Sequence, residues 1–274
     1  MKQLFKSIYL EITDECGLKC PFCPSKDLKK EGYINIELIK ERLKKIKGFS
    51  KQIYLHILGE PLLHPNINEI FTYCDEENIN LAVTTNALFI DKLQINKHQC
   101  IKKINISLQS IITSNITSNN IDIRLNKIYS FLKERNDSIG ISLRLWNDKT
   151  NEETIKFNKT IQNKLNDLLK DINLKNITWS YEDEFKWPNL NNEINNQKTT
   201  CLGGKKQLGI LLNGNVVLCC LDYLGNTTIG NIDNESLEDI LNKDIYKDVL
   251  KGWNNRNPYF ELCKKCTFRN KFIK

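Results

Sequence analysis

Cys16, Cys20 and Cys23 stand in the spacing C-x3-C-x2-C directly after a strand-like run, Ser7 to Thr13. Three closely spaced thiolates suit an iron-sulfur cluster with one iron left open. Structural zinc takes four protein ligands, usually from paired cysteines, and no nearby His or Cys completes a set around this triplet. The triplet therefore points to redox or radical chemistry, weighed against a zinc knuckle and against packed thiols that ligate nothing.

A second group of residues follows the next strand-like run: Leu58-Gly59-Glu60-Pro61-Leu62-Leu63-His64-Pro65. Gly59 lets the backbone approach a ligand, and the Glu60 carboxylate can accept hydrogen bonds from a cationic amine. A third group lies near the end of the chain. Cys201 is followed by Gly214, Cys219, and then Cys263-x2-Cys266, a set that four-coordinate zinc would also satisfy. Cys220 adjoins Cys219, and either thiol could ligate. Cys74 and Cys100 fall in helix-like or turn segments and read as packed thiols.

The elements that must position these groups alternate. Strand-like runs are Ser7 to Thr13, Gln52 to Leu58, Asn80 to Thr85, Lys103 to Leu108, Ile139 to Trp146 and Asn176 to Tyr181. Helical periodicity fills the intervals at Asn35 to Lys47, Ile67 to Glu77, Ile90 to His98, Ile121 to Arg135 and Glu152 to Lys170. Strand and helix in alternation predict a parallel sheet, because parallel neighbours need crossover connections. If that sheet curls into a barrel, the cysteine triplet, Gly59-Glu60-Pro61, Thr84-Thr85-Asn86 and Ser107-Leu108-Gln109-Ser110 all meet at one rim.

After Tyr181 the pattern breaks into a polar, Asn-rich stretch to Thr200 that reads as a linker or lid. Lys206 to Leu212 and Val216 to Leu221 then flank Asn213-Gly214-Asn215, a hairpin signal, and Ser236 to Leu250 reads as one helix. These divisions predict domains over 1–183, 184–200 and 201–274.

Composition bounds the rest. The 274 residues are 40% hydrophobic, enough for a full core, and the first residues suit no signal peptide. No apolar run approaches membrane-spanning length, so the expected location is the cytoplasm, without membrane association. Ten cysteines there suit metal ligation better than a disulfide framework. The net charge of +7 is spread over helix-like segments, which disfavours nucleic acid as a partner.

The cysteine triplet, with Phe22 before its third member, and the Leu-Gly-Glu-Pro-Leu-Leu-His-Pro run together resemble radical S-adenosylmethionine (SAM) enzymes. The resemblance implies an α/β fold, a partial (β/α)6 TIM-like barrel with a small C-terminal β-hairpin plus helix. It implies that Cys16, Cys20 and Cys23 hold a 4Fe-4S cluster whose fourth iron is chelated by the SAM amine and carboxylate. Phe22, Gly59, Glu60, Pro61, Asn86 and Ser107 are then cofactor-binding, with Gln109 standing where relatives often carry an acid. His64 is expected to brace its loop. The four later cysteines, Cys201, Cys219, Cys263 and Cys266, resemble the twitch version of a SPASM domain, with one auxiliary 4Fe-4S cluster, closest in layout to twitch-type aminocyclitol dehydrogenases.

What this implies is reductive cleavage of SAM to a 5'-deoxyadenosyl radical, abstraction of a hydrogen atom, and transfer of a second electron to the auxiliary cluster. The expected reaction is oxidation of a small sugar or cyclitol alcohol to a ketone, fed by a flavodoxin- or ferredoxin-like electron donor. Arg144, Tyr181, Glu182 and Glu184 are catalytic candidates by their place at strand ends or in the loop beyond. The runner-up is a peptide or protein maturase forming a thioether, a carbon-carbon link or formylglycine. Against it stands a chain that begins at its first strand, without a leader-recognition module. A non-catalytic iron-sulfur or zinc-binding protein would need neither the open triplet nor Gly59-Glu60-Pro61.

Overall fold

The computed structural model describes residues 4–113, 118–184 and 186–273, the side chains of 112, 113, 118 and 119 excepted. In chain order the strands are β1 (Ser7–Leu10), β2 (Ile53–Tyr54), β3 (Leu81–Thr85), β4 (Ile101–Ser107), β5 (Gly140–Trp146), β6 (Ile177–Glu182), β7 (Gln207–Ile210), β8 (Asn215–Val217) and β9 (Gly230–Asn231). The helices are α1 (Ile36–Ile46), α2 (Ile67–Glu76), α3 (Ser118–Glu134), α4 (Glu152–Leu168), α5 (Leu237–Asn242), α6 (Asp244–Asn254) and α7 (Glu261–Lys265). The chain divides into two compact units, one of residues 1–14, 31–58 and 185–274, the other of 15–30 and 59–184.

In the second unit β3, β4, β5 and β6 lie side by side, all parallel, as the alternation predicts. Register sorts their side chains by face, since neighbours in a strand alternate. Val83, Ile104, Ile141 and Ile177 form one apolar row, and α2, α3 and α4 of the same unit bury apolar positions of their own, among them Phe71, Leu125 and Leu165. The adjacent row is Thr84, Asn105, Ser142 and Thr178, and two residues further on come Ser107, Arg144 and Ser180. One face of this sheet is therefore hydrocarbon and the other carries hydroxyls, an amide and a guanidinium.

In the first unit β1 sits between β2 and β7, parallel to both, and β7, β8 and β9 continue antiparallel. The hairpin expected around Gly214 is present. Its turn takes Gly214 to φ +81, where a side chain would collide with the Asp233 carboxylate. Helix α1, capped by Asn35, buries Ile39, Leu43 and Ile46 and also Arg42, which is 1% exposed. That guanidinium bonds both oxygens of Asp233 at 2.8 and 2.7 Å and the carbonyls of Leu211 and Leu212. From β1, the buried carboxylate of Glu11 accepts from the N–H groups of Leu58 (3.0 Å) and Leu212 (3.2 Å).

Three expectations are corrected. Ile90 to His98 is no α-helix but one 3-10 turn, Ile90–Leu93, ended by Gln94 in the left-handed region at φ +34. Ser236 to Leu250 is two helices broken at an extended Lys243. The break follows from phase: the six steps from Ile240 to Tyr246 would leave the two apolar stripes about 120° out of step on a continuous helix. The second strand shrinks from Gln52 to Leu58 to two paired residues.

Candidate metal centres

The loop after β1 carries the first centre. Each outer cysteine of the triplet accepts from the backbone N–H two residues on, Cys16 from Leu18 and Cys23 from Ser25. Such bonds stabilise a thiolate, yet burial dominates and pushes the Cys23 thiol up to about 11 and Cys16 above its ordinary value. The buried Cys20 lies between them, its carbonyl accepting from Cys23 N–H at 3.0 Å. The side-chain amide of Asn86 reaches Cys16 Sγ at 3.7 Å.

Glu60 braces this loop. Its backbone N–H donates to Glu15 O at 2.8 Å, and its carboxylate, 1% exposed, accepts from Leu62 N–H at 3.1 Å and Asn86 N–H at 2.7 Å. Burial raises the carboxyl to about 7, against those bonds, Thr85 and the Arg124 charge, which lower it. Gly59 enters the turn at φ +72 and Pro61 starts a single 3-10 turn. His64 is buried and accepts Asn66 N–H on Nδ1.

Arg124 of α3 is the residue sequence reasoning missed. It is buried, and its guanidinium donates to Asn86 O and to Ser110 Oγ (3.0 Å). Burial lowers it to about 10, while Cys20, Glu60 and Cys16 favour its charge. A signal existed: the side chain stands beside Leu125 and Ile128 on the apolar side of its helix, where an arginine is out of place without a partner.

The catalytic candidates separate by face. Arg144 lies over the Trp146 ring at 4.3 Å, and Trp146 Nε1 donates to Ser180 Oγ at 3.0 Å. Ser107 and Glu182 share that face by register, whereas Tyr181 points the other way and bonds Gln162 of α4. Glu184 lines a cavity of about 370 Å³ with Pro21, Phe22, Asn147, Asp148 and Thr154, so Phe22 of the cysteine loop and Glu184 open onto one space. Burial, then the Asp148 charge, raises the Glu184 carboxyl.

The second centre belongs to the first unit. Cys201, Cys219, Cys263 and Cys266 line one cavity of about 30 Å³, closed by Leu218, Leu221, Trp253, Leu262 and Arg269. The two-residue rule recurs: Cys201 accepts from Gly203 N–H, Cys219 from Leu221, Cys266 from Phe268 and also Arg269. Burial, then the neighbouring thiols, holds Cys219 and Cys263 well above the usual thiol range. Among the described residues no three His, Cys, Asp or Glu side chains are set to hold a single metal ion. Four thiols around one cavity, with N–H groups aimed at three of their sulfurs, fit a cluster ligated by four thiolates. Cys74 and Cys100 are buried in the other unit, and Cys100 Sγ donates to Phe71 O.

The polar stretch expected as a linker or lid is, where described, a strap on this second centre. Pro188 lines its cavity, Leu190 O accepts from Lys265 Nζ at 2.6 Å, and Asn195 Nδ2 donates to Cys266 O at 2.8 Å. Phe185 of that stretch lies outside the described residues.

Residues 10–113, which hold the cysteine triplet and Glu60, match the radical SAM superfamily model. The chain carries a radical SAM domain. Residues 201–267 match the SPASM model, an iron-sulfur cluster-binding domain. The radical SAM domain implies a 4Fe-4S cluster and SAM, and the SPASM domain implies auxiliary iron-sulfur.

GTP 3',8-cyclase of Aquifex aeolicus is 32% identical over 114 residues, 39% of this chain and 36% of that protein. Fe-coproporphyrin III synthase of Methanosarcina barkeri is 25% identical over 115 residues, 41% of this chain and 28% of that protein. The matched segments thus span well under two thirds of these relatives. Solved structures align over far more of the chain. BtrN in complex with AdoMet and 2-DOIA gives a TM-score of 0.63 at 17% identity, covering 97% of this chain and 94% of BtrN. Streptococcus suis SuiB gives 0.63 at 17%, covering 96% and 72%. Native anSMEcpe with AdoMet and Cp18Cys peptide gives 0.61 at 13%, covering 96% and 86%. These likenesses show the fold: a radical SAM partial barrel of the α/β class, as the strand and helix alternation predicts. No helix of the described residues is long and apolar enough to cross a membrane.

Proposed function

We propose that this radical SAM enzyme oxidises a small polyhydroxylated substrate, an alcohol of a sugar or cyclitol, to a ketone. The observation that carries this reading is the polar face of the β3 to β6 sheet. Rows of Thr84, Asn105, Ser142 and Thr178, then Ser107, Arg144 and Ser180, set short hydroxyl and amide groups, Asn105 buried among them, beside the Arg144 cation. Such a surface matches a ring of hydroxyls better than a peptide side chain. When bound, the first cluster and SAM supply hydrogen-atom abstraction.

The chain's own residues hold the reactants. Glu60 fixes Asn86 and the cysteine loop in one arrangement, Arg124 places a cation beside them for the SAM carboxylate, and Ser107 stands in the row of Arg144. Arg144, held over Trp146, orients the substrate oxygen. Glu182 on the same face, or Glu184 beside Phe22, receives the hydroxyl proton. The alcohol gives up a hydrogen atom, a proton and one electron, and Cys201, Cys219, Cys263 and Cys266 would hold a cluster able to accept that electron. Cys219 rather than Cys220 is the ligand, because Cys219 lines the cavity with the other three. No disulfide joins any of the ten cysteines, all of which lie among the described residues, and this suits a cytoplasmic enzyme served by a flavodoxin- or ferredoxin-like donor.

A peptide maturase is the second reading, favoured by the shared fold of SuiB bound to its precursor peptide SuiA, at a TM-score of 0.62. A panel of deuterated sugars, cyclitols and peptides separates the two. Deuterium transfer into 5'-deoxyadenosine from a cyclitol or sugar is expected; transfer from peptides alone overturns the polyol assignment.

A further inference from the structure

Arg269 sits in the wall of the four-cysteine cavity, on the 3-10 turn Phe268–Phe272 that directly follows Cys266. The side chain is 2% exposed. Its two terminal nitrogens are taken, one by Gln197 O and the other by Asn195 O, both on the strap. Nε is buried and has no hydrogen-bond partner among the described residues. A buried guanidinium N–H without an acceptor costs free energy, and the cavity it lines is otherwise built of thiols and hydrocarbon. The same residue's backbone N–H already donates to Cys266 Sγ.

We infer that Arg269 donates its Nε–H to the auxiliary cluster's sulfur and sets that cluster's potential, favouring the reduced state. The physical ground is charge. A cluster that takes one electron from a reductant becomes one unit more negative, so a fixed buried cation and an N–H donor stabilise the reduced form more than the oxidised one. The two carbonyls of the strap hold the guanidinium in place and prevent it from turning away. The electron reaches the cluster from the substrate radical in turnover, or from dithionite in a titration. The inference rests on the reading of this centre as iron-sulfur, and is independent of which substrate is oxidised.

The test uses the full chain with Cys16, Cys20 and Cys23 all replaced by Ala, so that only the auxiliary cluster gives an electron paramagnetic resonance (EPR) signal. Iron, sulfide and zinc are assayed first. Zinc in place of about four irons overturns the iron-sulfur reading itself, and the inference with it. With the cluster present, Arg269→Gln should shift the midpoint potential downward in an EPR-monitored dithionite titration. Arg269→Lys, which keeps the charge and loses the Nε donor, should fall between it and the parent. An unchanged potential in the loaded Gln variant overturns the inference and leaves the cluster reading intact. Should both variants lose the cluster, the parent protein labelled with arginine carrying 15N at Nε alone decides, since the backbone nitrogen of Arg269 already contacts Cys266. An electron-nuclear double resonance coupling from 15N to the reduced cluster supports the contact, and its absence overturns it.

Discussion

Asn86 donates its backbone N–H to Glu60 Oε2 across 2.7 Å, so one buried carboxylate ties the end of β3 to the turn that begins at Gly59. The side chain of the same asparagine reaches Cys16, and its carbonyl accepts from Arg124. Cysteine loop, glutamate turn and β3 are thereby one hydrogen-bonded assembly. Glu60→Ala removes two bonds to a charged or chargeable acceptor, each contributing about 1.5–3 kcal/mol when the group is ionised. SAM affinity should fall at least about tenfold, the equivalent of roughly 1.4 kcal/mol. Isothermal titration of the reconstituted protein reads this directly, and an unchanged Kd would contradict the bracing role.

Arg42 makes a comparable tie in the other unit. Its ion pair with Asp233 is buried on the arginine side, and the carbonyls of Leu211 and Leu212 use the remaining donors. Removing one partner of a buried pair costs about 3–5 kcal/mol, because the other is left uncompensated. Arg42→Ala should therefore lower the denaturant midpoint markedly and loosen the turn of the β7–β8 hairpin, with Cys219 at its far end. Arg42→Met combined with Asp233→Leu should recover much of the loss, since neither charge is then stranded. A double variant no better than Arg42→Ala would show that the backbone contacts, not the pair, hold the turn.

What was legible in the sequence follows the range of the forces involved. Strand and helix alternation rests on local periodicity, and the four strands of the second unit appear within a few residues of their expected limits. The cysteine spacings were legible because the N–H two residues beyond a cysteine turns back onto its sulfur, a short-range device. The partners of Arg124 and Arg269 were not legible, because Asn86 and Asn195 lie 38 and 74 residues away in the chain. The contacts of the polar stretch were hidden for the same reason: its composition says loop, and only the fold shows that it bonds Lys265 and Cys266. Tyr181 looked like a neighbour of Glu182, and the pleat of β6 sends the two to opposite faces.

The adjacent thiols Cys219 and Cys220 give a clean comparison. Cys219 accepts Leu221 N–H and lines the cavity with Cys201, Cys263 and Cys266, whereas Cys220 does not line it. In a chain already lacking the triplet cysteines, Cys219→Ala should lose most of the iron that remains, and Cys220→Ala should keep about four irons per chain. Iron and sulfide assays after anaerobic reconstitution read the difference. The reverse order would move the ligand to Cys220.

Glu11 should make stability depend on pH in a defined direction. Burial raises its carboxyl from 4.5 to about 7, helped by the charges of Asp14 and Glu31 and opposed by the N–H groups of Leu58 and Leu212. A raised acid contributes its full stability below the unfolded value, where both states are protonated, and loses it as pH rises through the folded value. The window is therefore 4.5 to about 7. The contribution lost across that window is on the order of 3 kcal/mol, since a tenfold change in proton affinity corresponds to about 1.4 kcal/mol. Glu11→Gln cannot ionise, so its unfolding free energy should lack this component, although its amide sets a donor against one of the two N–H groups. Urea unfolding of both proteins from about pH 5 to about pH 8 isolates the effect, because cluster and histidine contributions are common to the two. The wild type should lose stability relative to Glu11→Gln across the window. Parallel curves would mean that Glu11 is already ionised in the folded protein at about pH 5, its charge held by the two N–H donors more strongly than burial opposes it.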